Sequence, residues 1–332
     1  MEQKRLIEIV KNMRAKKIAV IGDLMLDRYF WGSVSRVSPE APVPVVELES
    51  ESSSLGGAAN VANNIRSLGA EAIPIGVIGD DRCGRTLKQQ FEEKGFPGAG
   101  IFTDADRLTT QKSRVIAHNQ HVVRVDRESK TEVSDAIAGR LLDYFKAIAG
   151  NLDAVVLEDY NKGLLTKALI EEISAVSMQN GLKITVDPKH AHFFCFQNVS
   201  VFKPNLKELE DALGLRLQTP DQIRSASLEL KKRGLAENIL VTLGANGMHL
   251  IDHNDQEHLI PTRAKKVHDV SGAGDTVIAT LTASLAAGAT VIDAAHLANF
   301  AAGVVVGEVG AVPITPGKLQ KSITNYQVNN NG

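Results

Sequence analysis

The sequence predicts an α/β protein with a mostly parallel central sheet covered by helices on both faces, together with a small β-sheet lid. The main observation is that short apolar runs, such as 17–21 and 153–157, alternate with longer segments whose apolar residues recur at helical spacing. Strands that alternate with helices favour a parallel sheet with helical crossovers. The chain is also long enough for a substantial core, since 43% of its 332 residues are hydrophobic.

Local hydrophobic patterns place the individual helices and strands. Leu6, Ile9 and Met13 share one face of an amphipathic helix near the start of the chain. Further helices are predicted after Gly57, at 85–94, 135–148, 167–179, 206–213 and 221–233, from Asp275 onward, and at 292–306. Strands are predicted at 17–21, 72–78, 153–157, 183–186 and 238–243.

Two stretches break this alternation, residues 28–54 and 111–125. The first contains Pro39 and Pro44 among β-branched residues, a pattern typical of short strands and turns. The second is predicted to be a hairpin that turns at 118–119. We expect the two stretches to pair in space as a small separate sheet, which would form a lid over a site on the α/β core.

The predicted lid comprises residues 28–54 and 109–125, and the predicted core comprises 1–27, 55–108 and 126–332. The free edges of such a small sheet would need a partner. The sequence therefore predicts a homodimer formed through the lids.

Composition excludes several functional classes. A formal net charge of −2 gives no basis for a nucleic-acid or acidic-membrane partner. Cys83 and Cys195 are too few for a disulfide framework, and their spacing fits no metal knuckle, which favours a reducing compartment. Residues 1–17 lack an apolar signal core, and the longest uncharged run, 277–292, is shorter than the roughly 20 residues that span a bilayer. We therefore expect a soluble, cytoplasmic protein.

The segment 269–276, Asp-Val-Ser-Gly-Ala-Gly-Asp-Thr, carries the clearest chemistry. Around Gly272, Ala273 and Gly274 the backbone N–H groups can approach a ligand closely, and the positive end of the following helix favours an anion there. Asp275 lies in the first helical turn, where a carboxylate is kept ionised. We interpret Asp275 as the base that takes a proton from a substrate hydroxyl, while the turn holds the phosphoryl group.

A simpler interpretation of the same segment is a glycine-rich turn that merely begins a helix. A dinucleotide fingerprint is excluded, because Val277 stands where its third glycine would be and the turn lies late in the chain. The chain also lacks the P-loop motif and the protein-kinase motifs.

A second glycine pair, Gly56 and Gly57, precedes a helix with Asn60 in its first turn. The amide of Asn60 can both donate to and accept from ligand hydroxyls. Close packing of the helix on the sheet would explain the neighbouring alanines but not a polar residue at position 60. We therefore favour a binding role for Asn60.

Two further turns allow structural and functional interpretations. Asn205 and Glu208 form a helix-capping pattern, which local sequence favours, but they could also lie near the waters of Mg²⁺ and nucleotide phosphates. The turn between Gly244 and Gly247 predicts a hairpin that could also form a wall of a nucleotide site.

Charged side chains follow several predicted strands: Asp23, Asp27, Glu158, Asp187 and Lys189. They favour a ligand cleft at the carboxyl edge of the predicted sheet.

The motifs at 56–60, 205–208 and 269–275, in this order, resemble the ribokinase/PfkB family of sugar kinases. The resemblance covers nearly the whole chain and implies a ribokinase-like three-layer sandwich with ATP and Mg²⁺ as cofactors and a monovalent cation as an optional addition. Thr280 departs from the family pattern, since a small Ala or Gly is usual there, and we expect it to affect packing only.

Residues 22–29 and 36–46 look like the D-glycero-β-D-manno-heptose 7-phosphate kinases of lipopolysaccharide synthesis. Those kinases occur alone or fused to a nucleotidyltransferase. Because the sequence ends soon after the last predicted core helix, we expect the kinase alone. It would phosphorylate the anomeric O1 to give the 1,7-bisphosphate, with a separate adenylyltransferase acting next.

The resemblance also implies site residues. Asp275 would be the base, with Gly272 to Gly274 as the anion hole. ATP would be bound by Asn205, Glu208, Thr242, Gly244 and Gly247, with Glu208 reaching Mg²⁺ through water. The sugar would be bound by Asp23, Asp27, Gly56, Gly57, Asn60 and Glu158. Chemistry and expected position, rather than the family pattern, suggest Lys162, Lys189 and Arg124 as cations for the 7-phosphate.

Two alternatives remain at the level of sequence. The first is a kinase of the same family that acts on another sugar, sugar phosphate or nucleoside. The second is a sugar-binding sensor that has kept the fold without turnover, although an intact Asp275 and Gly-Ala-Gly turn argue against it.

Overall fold

The structure is a computed structural model that describes residues 3–118, 120–264, 266–308, 310 and 312–328. The described strands are β1 Lys17–Gly22, β2 Leu24–Val37, β3 Pro44–Gly57, β4 Glu71–Gly79, β5 Ile101–Asp104, β6 Thr110–Ala117, β7 Gln120–Arg127, β8 Ala154–Glu158, β9 Lys183–Asp187, β10 Val199–Phe202, β11 Ala236–Thr242, β12 Met248–Ile251 and β13 Glu257–Ile260. The described helices are α1 Gln3–Asn12, α2 Ala58–Ser67, α3 Arg82–Glu93, α4 Asp135–Ala149, α5 Lys167–Gln179, α6 Leu206–Leu213, α7 Pro220–Lys232, α8 Ala273–Ala286, α9 Val291–Val305 and α10 Pro316–Val328.

The central sheet contains nine of the described strands, in the order β13-β12-β11-β10-β9-β8-β1-β4-β5. Strands β12 and β13 run antiparallel to their neighbours, and the other pairs are parallel. The carboxyl ends of β1, β8, β9, β10 and β11 consequently meet at one edge of the sheet, as the sequence predicted for all of these strands except β10.

Two hydrophobic cores lie on opposite faces of this sheet. Along β1, Ile18 and Val20 pack into the core that also contains α1, α2, α8, α9 and α10, while Ala19 and Ile21 pack into the core that contains α4 to α7. This alternation follows from the two-residue period of a strand that is buried on both faces. The predicted three-layer α/β architecture is confirmed.

A separate sheet contains four of the described strands, in the order β3-β2-β6-β7. Its two hairpins are joined by parallel pairing of β2 with β6. The predicted pairing of the two non-helical stretches is therefore confirmed, although the lid and core boundaries at 28, 54, 109 and 125 stay predictions.

The expectation of short strands within 28–54 was wrong. Strands β2 and β3 each contain 14 residues and pair along almost their whole length. Register shifts at Trp31/Gly32 and Val34/Arg36 let the ribbon bend without ending. The prolines lie at 39, 42 and 44, in the turn and at the first residue of β3, where a missing N–H costs little.

Four elements were missed by the sequence prediction: β5, β10, β13 and α10. Each of the three strands contains only four residues, too few to show a period. Helix α10 follows the two helices that were expected to close the chain. Of the predicted lid, residue 119 lies outside the described residues, as do residues 1, 2, 265, 309, 311 and 329–332 of the predicted core.

None of the helices in the described part of the chain is both long and apolar enough to cross a membrane.

The close approach of β1 to β8 at the sheet edge is testable by adding one methyl group. A Cβ at Gly22 would lie 2.1 Å from the carbonyl oxygen of Glu158, so Gly22→Ala must push the two strands apart. We expect a loss of about 1–3 kcal/mol in the free energy of unfolding, measured by urea denaturation. The matched control is Gly139→Ala on α4, where an added Cβ meets nothing within 4 Å and should stabilise by about 0.5–1 kcal/mol. Equal effects from the two changes would contradict this packing.

Candidate active site

Buried carboxylates gather at the carboxyl edge of the central sheet. Glu158 ends β8, Asp187 ends β9, and the register pairs Glu158 with both Gly22 and Asp187. Asp23 follows β1 directly, and Asp275 enters from the first turn of α8. All four side chains are at most 6% exposed. The structure thus brings together residues that are up to 252 positions apart in the sequence.

Asp275 is held by two hydrogen bonds from opposite sides. The Asn60 amide nitrogen donates to Oδ2 over 2.7 Å, and the Tyr160 hydroxyl donates to Oδ1 over 2.8 Å. Burial raises the pKa of Asp275, while these two hydrogen bonds act in the opposite direction. The first-turn position alone suggested a carboxylate that is kept ionised, but burial is the larger effect. A raised pKa makes Asp275 a better proton acceptor than a surface aspartate.

The turn before Asp275 presents two free backbone donors. Gly272 adopts a left-handed conformation with φ of 74°, and Asp269 accepts from the backbone of Ser271 and Gly310. Within the described residues, the N–H groups of Gly274 and Asp275 have no acceptor. A Cβ placed on Gly274 would meet nothing nearer than 4.0 Å, so the space above the turn is open. Free N–H groups at the start of a 14-residue helix suit a phosphoryl group.

Asp23 supports the loop that carries Tyr160. Its Oδ2 accepts the backbone N–H groups of Tyr160, over 2.8 Å, and Lys162, over 3.1 Å. Burial raises the pKa of Asp23, and these backbone hydrogen bonds oppose the rise. The sequence assigned Asp23 to sugar hydroxyls; its contacts are with the loop, and the sugar role stays a prediction.

Asp187 pairs with a buried cation, Lys203, beside Glu158. Lys203 Nζ lies 2.7 Å from Asp187 Oδ2, and the Lys203 side chain is 4% exposed. Neither oxygen of Glu158 has a hydrogen-bond partner among the described residues. Burial, and then the nearby Asp187 and Asp275 charges, raise the pKa of Glu158 well above its usual range. The cluster therefore contains a buried carboxyl group, that of Glu158, which has no hydrogen-bond partner among the described residues and lies near Asp275.

The nucleotide-side motifs adopt the structures that local sequence favoured. Asn205 and Glu208 form a complete capping box at the start of α6. Glu208 also binds Lys189, whose ammonium approaches Oε1. Thr242 pairs with Asn205 across a short parallel bridge, which places this motif beside the end of β11.

The predicted hairpin after Thr242 is confirmed. Gly244 and Gly247 both have positive φ, 58° and 88°, in the short turn between β11 and β12. A Cβ on Gly247 would lie 2.1 Å from the carbonyl of Ile260, so this position requires glycine. The turn lies at the same sheet edge as Asn205.

The chemistry of these side chains fits a magnesium ion that arrives with a nucleotide. In the described part of the chain, no group of three or more His, Cys, Asp or Glu residues could hold a metal alone. Glu208 supplies hard carboxylate oxygens with remaining acceptor capacity, and Mg²⁺ usually keeps waters and phosphate ligands. A water-mediated contact to Glu208 is consistent with that donor set.

The face of the small sheet beside Asp275 is basic. Arg114 pairs with Asp27 over 2.8 Å, and a Cβ on Gly56 would lie 2.8 Å from that Asp27 carboxylate. Lys112 lies two residues from Arg114 on the same strand, with its ammonium 4.7 Å from the centre of the Tyr160 ring. Among the described residues, Lys112 has no ion-pair or hydrogen-bond partner.

Four site residues were missed by sequence reasoning: Tyr160, Lys112, Arg114 and Lys203. The alternation of Lys112 and Arg114 along a predicted strand was a usable signal, because residues two apart share a face. Tyr160 and Lys203 follow strand ends, as do the residues that were selected, but a single tyrosine or lysine there carries little information.

Each cation that was suggested for a substrate phosphate has a carboxylate partner here. Lys162 lies 2.6 Å from Glu128, Lys189 binds Glu208, and Arg124 contacts Asp126 on the exposed strand β7. Their phosphate roles stay predictions. Thr280, the position that departs from the family pattern, is fully buried in α8 and its hydroxyl has no partner within the described residues.

Residues 15–317 match the model of the pfkB family carbohydrate kinases. The chain belongs to this family. The predicted enzyme class, a phosphotransferase that acts on a sugar, is therefore confirmed at the level of the family.

One relative is similar in sequence, and two solved structures are similar in fold. The bifunctional protein HldE of Pelobacter propionicus is 40% identical over 324 residues, which cover 97% of this chain and 66% of HldE. Phosphofructokinase-2 from Escherichia coli in complex with potassium superposes with a TM-score of 0.77 at 19% identity, covering 94% of this chain and 99% of the other. Ribokinase from Arabidopsis thaliana, complexed with ribose and ATP, superposes with a TM-score of 0.73 at 18% identity, covering 93% and 99%.

These structural likenesses confirm the predicted ribokinase-like fold. The chain spans slightly less than two thirds of the length of the HldE relative.

The buried ion pair of Lys203 predicts a large effect on stability. Lys203→Met removes the cation and leaves Asp187 unpaired beside Glu158, so we expect the free energy of unfolding to fall by about 3 kcal/mol at neutral pH. Urea denaturation at neutral pH measures this loss. The control Lys207→Met breaks an exposed i,i+4 pair with Asp211 and should cost less than about 0.5 kcal/mol. If Lys203→Met were as stable as Lys207→Met, the Lys203–Asp187 ion pair would not stabilise the fold as predicted.

Proposed function

We propose that this chain is an ATP-dependent kinase that phosphorylates the anomeric O1 of D-glycero-β-D-manno-heptose 7-phosphate. The product is the 1,7-bisphosphate, an intermediate of ADP-heptose formation for the lipopolysaccharide core. Family membership and the HldE relative support a sugar kinase of this branch. The single observation that carries a phosphorylated substrate is Lys112, a cation near the buried Asp275 that has no ion-pair partner among the described residues.

Asp275 acts as the general base in this proposal. Each carboxylate oxygen of Asp275 accepts one hydrogen bond and can accept a second. A sugar hydroxyl can therefore donate to Asp275 without displacing Asn60 or Tyr160. As the O1 oxygen attacks the γ-phosphorus of ATP, its proton passes to Asp275 and the bond between the γ-phosphorus and the leaving ADP oxygen breaks. The free N–H groups of Gly274 and Asp275 stabilise charge on the transferred phosphoryl group.

The remaining predicted residues have supporting roles in this proposal. Asn205, Thr242, Gly244 and Gly247 border the nucleotide, and Glu208 contacts Mg²⁺ through water. When bound, Mg²⁺ neutralises charge on the ATP phosphates. Asp23, Asp27, Gly56, Gly57, Asn60 and Glu158 surround the sugar. A monovalent cation is an optional further cofactor, supported by the potassium complex of the Escherichia coli phosphofructokinase-2.

Lys112 is assigned to the distal phosphate of the substrate. Lys162, Lys189 and Arg124 are already paired with carboxylates, whereas burial lowers the pKa of Lys112 and an anionic ligand would favour its charged form. Its ammonium lies above the ring of Tyr160, whose hydroxyl contacts the base. A substrate that places one end at Asp275 and a phosphate at its other end would satisfy both groups.

We also propose a homodimer through the small sheet. Its outer strands are β3 and β7, and apolar side chains are exposed on it: Val37 by 64%, Leu48 by 59% and Val125 by 56%. A second copy would cover these edges.

We place the reaction in the cytoplasm, without nucleic-acid or membrane partners. We assign the adenylyl transfer that follows to a separate adenylyltransferase.

Two alternatives are retained. Another sugar, sugar phosphate or nucleoside could be the acceptor, since the fold alone does not select one. A non-catalytic sensor is disfavoured by the free N–H groups and the hydrogen-bonded base.

A substrate panel tests the proposed acceptor. ADP release should show kcat/KM at least about 100-fold higher for heptose 7-phosphate than for the same heptose without phosphate, and a preference for a free sugar would refute the proposal.

Lys112→Met should lower kcat/KM for the phosphorylated sugar by about 10–100-fold, mainly through KM, because a hydrogen bond to a charged group is lost. Lys146→Met, on the outer helix α4, is the matched control and should leave this preference unchanged.

Removal of the base tests the assignment of Asp275. Asp275→Asn keeps the size of the side chain and should lower kcat by about 100-fold or more while leaving ATP affinity largely intact. Steady-state kinetics and nucleotide titration calorimetry measure the two quantities. Near wild-type kcat in this variant would show that Asp275 is not the base.

A further inference from the structure

The hydroxyl of Tyr160 is one of two hydrogen-bond donors that orient the carboxylate of Asp275. It donates to Oδ1, whereas Asn60 donates to Oδ2. Asn60 lies on α2 and Tyr160 follows β8, so the two donors approach from different elements and together prevent rotation of the carboxylate. Loss of either donor would leave Asp275 with one unrestrained oxygen.

Tyr160 is itself held from three directions. Its backbone N–H donates to Asp23, which ties its position to the end of β1. One face of its ring lies 4.7 Å from the ammonium of Lys112 on the small sheet, and the ring centre lies 5.3 Å from the ammonium of Lys189 beyond β9. Both distances are within the range of cation–π attraction. The side chain is therefore a fixed part of the cleft.

The charges around this pair keep Tyr160 protonated. Burial, and then the nearby carboxylates, raise the pKa of Tyr160 well above its usual value, so its hydroxyl remains a donor at neutral pH. The charged groups near Asp275 and Tyr160 come from four strands or strand ends: Asp27, Lys112, Glu158, Asp187 and Lys189. A neutral donor can stabilise the ionised base without adding another charge to this set.

We propose that Tyr160 is a positioning residue for the base. Its hydroxyl holds Oδ1 of Asp275 in the orientation that receives the proton of the acceptor hydroxyl, and Tyr160 keeps its own proton throughout. This inference rests on the proposed role of Asp275 in phosphoryl transfer. Because its ring contacts Lys112 on the small sheet and Lys189, which binds Glu208, Tyr160 also joins the sugar side of the cleft to the nucleotide side.

Tyr160→Phe tests this role, since it removes the hydroxyl and keeps the ring with both lysine contacts. We expect kcat to fall by about 10–100-fold, the range for a lost hydrogen bond to a charged group, with KM for the sugar changed less than about threefold. The acid limb of the pH profile of kcat should move to higher pH by about one unit, because the ionised form of Asp275 loses a donor. An unchanged kcat and profile, or an increase in kcat/KM, would overturn the proposal.

A measurement without substrate separates this inference from the identity of the sugar. NMR titration of the ¹³C-labelled aspartate carboxyl groups should show a higher pKa for Asp275 in Tyr160→Phe than in the wild type, with the resonance assigned by its absence in Asp275→Asn. Tyr144→Phe, which removes a hydroxyl from the outer helix α4, is the control and should leave the Asp275 titration unchanged. An identical Asp275 pKa in the wild type and Tyr160→Phe would refute the positioning role, even if the enzyme uses another sugar.

Discussion

The hydrogen-bonded carboxylate of Asp275 is the constraint on which the rest of the site depends. It is buried at the junction of α8, α2 and the loop after β8, and it receives one donor from each of the latter two. The contact between α2 and α8 continues one turn further, where the buried Asn64 accepts from Thr276. A buried carboxylate is costly unless it is hydrogen-bonded. The same contacts that join the helices therefore also orient the Asp275 carboxylate.

Charge balance is the second constraint at this edge of the sheet. Asp23, Glu158, Asp187 and Asp275 are all buried there, and Lys203 is the buried cation that pairs with Asp187. Burial, and then the closeness of the other carboxylates, raises the pKa of Glu158 and of Asp275. The uncharged donors Asn60 and Tyr160 and the nearby lysines offset the repulsion between these carboxylates. A cleft with this composition is suited to a ligand that brings hydroxyls to the acidic end and a phosphate to Lys112.

The sequence predicted the layered fold and singled out Asp275 because both are carried by local patterns. Helical period, buried strands and the turn at 272–274 are visible in short windows, and the structure agrees with them to within a few residues in most elements. Four-residue strands such as β10 show no period, and the 14-residue length of β2 depends on pairing with distant strands. Tyr160 could not be selected for a similar reason, since it is distinguished only by contacts with residues distant in the sequence, such as Lys112, 48 positions earlier.

A structure of the enzyme with heptose 7-phosphate and a non-hydrolysable ATP analogue tests the central claim most directly. We predict that the anomeric O1 lies within about 2.6–3.2 Å of an Asp275 oxygen, in line with the γ-phosphorus. The distal phosphate should contact Lys112. An acceptor oxygen beyond hydrogen-bond reach of Asp275, or a distal phosphate held away from Lys112, would contradict the account.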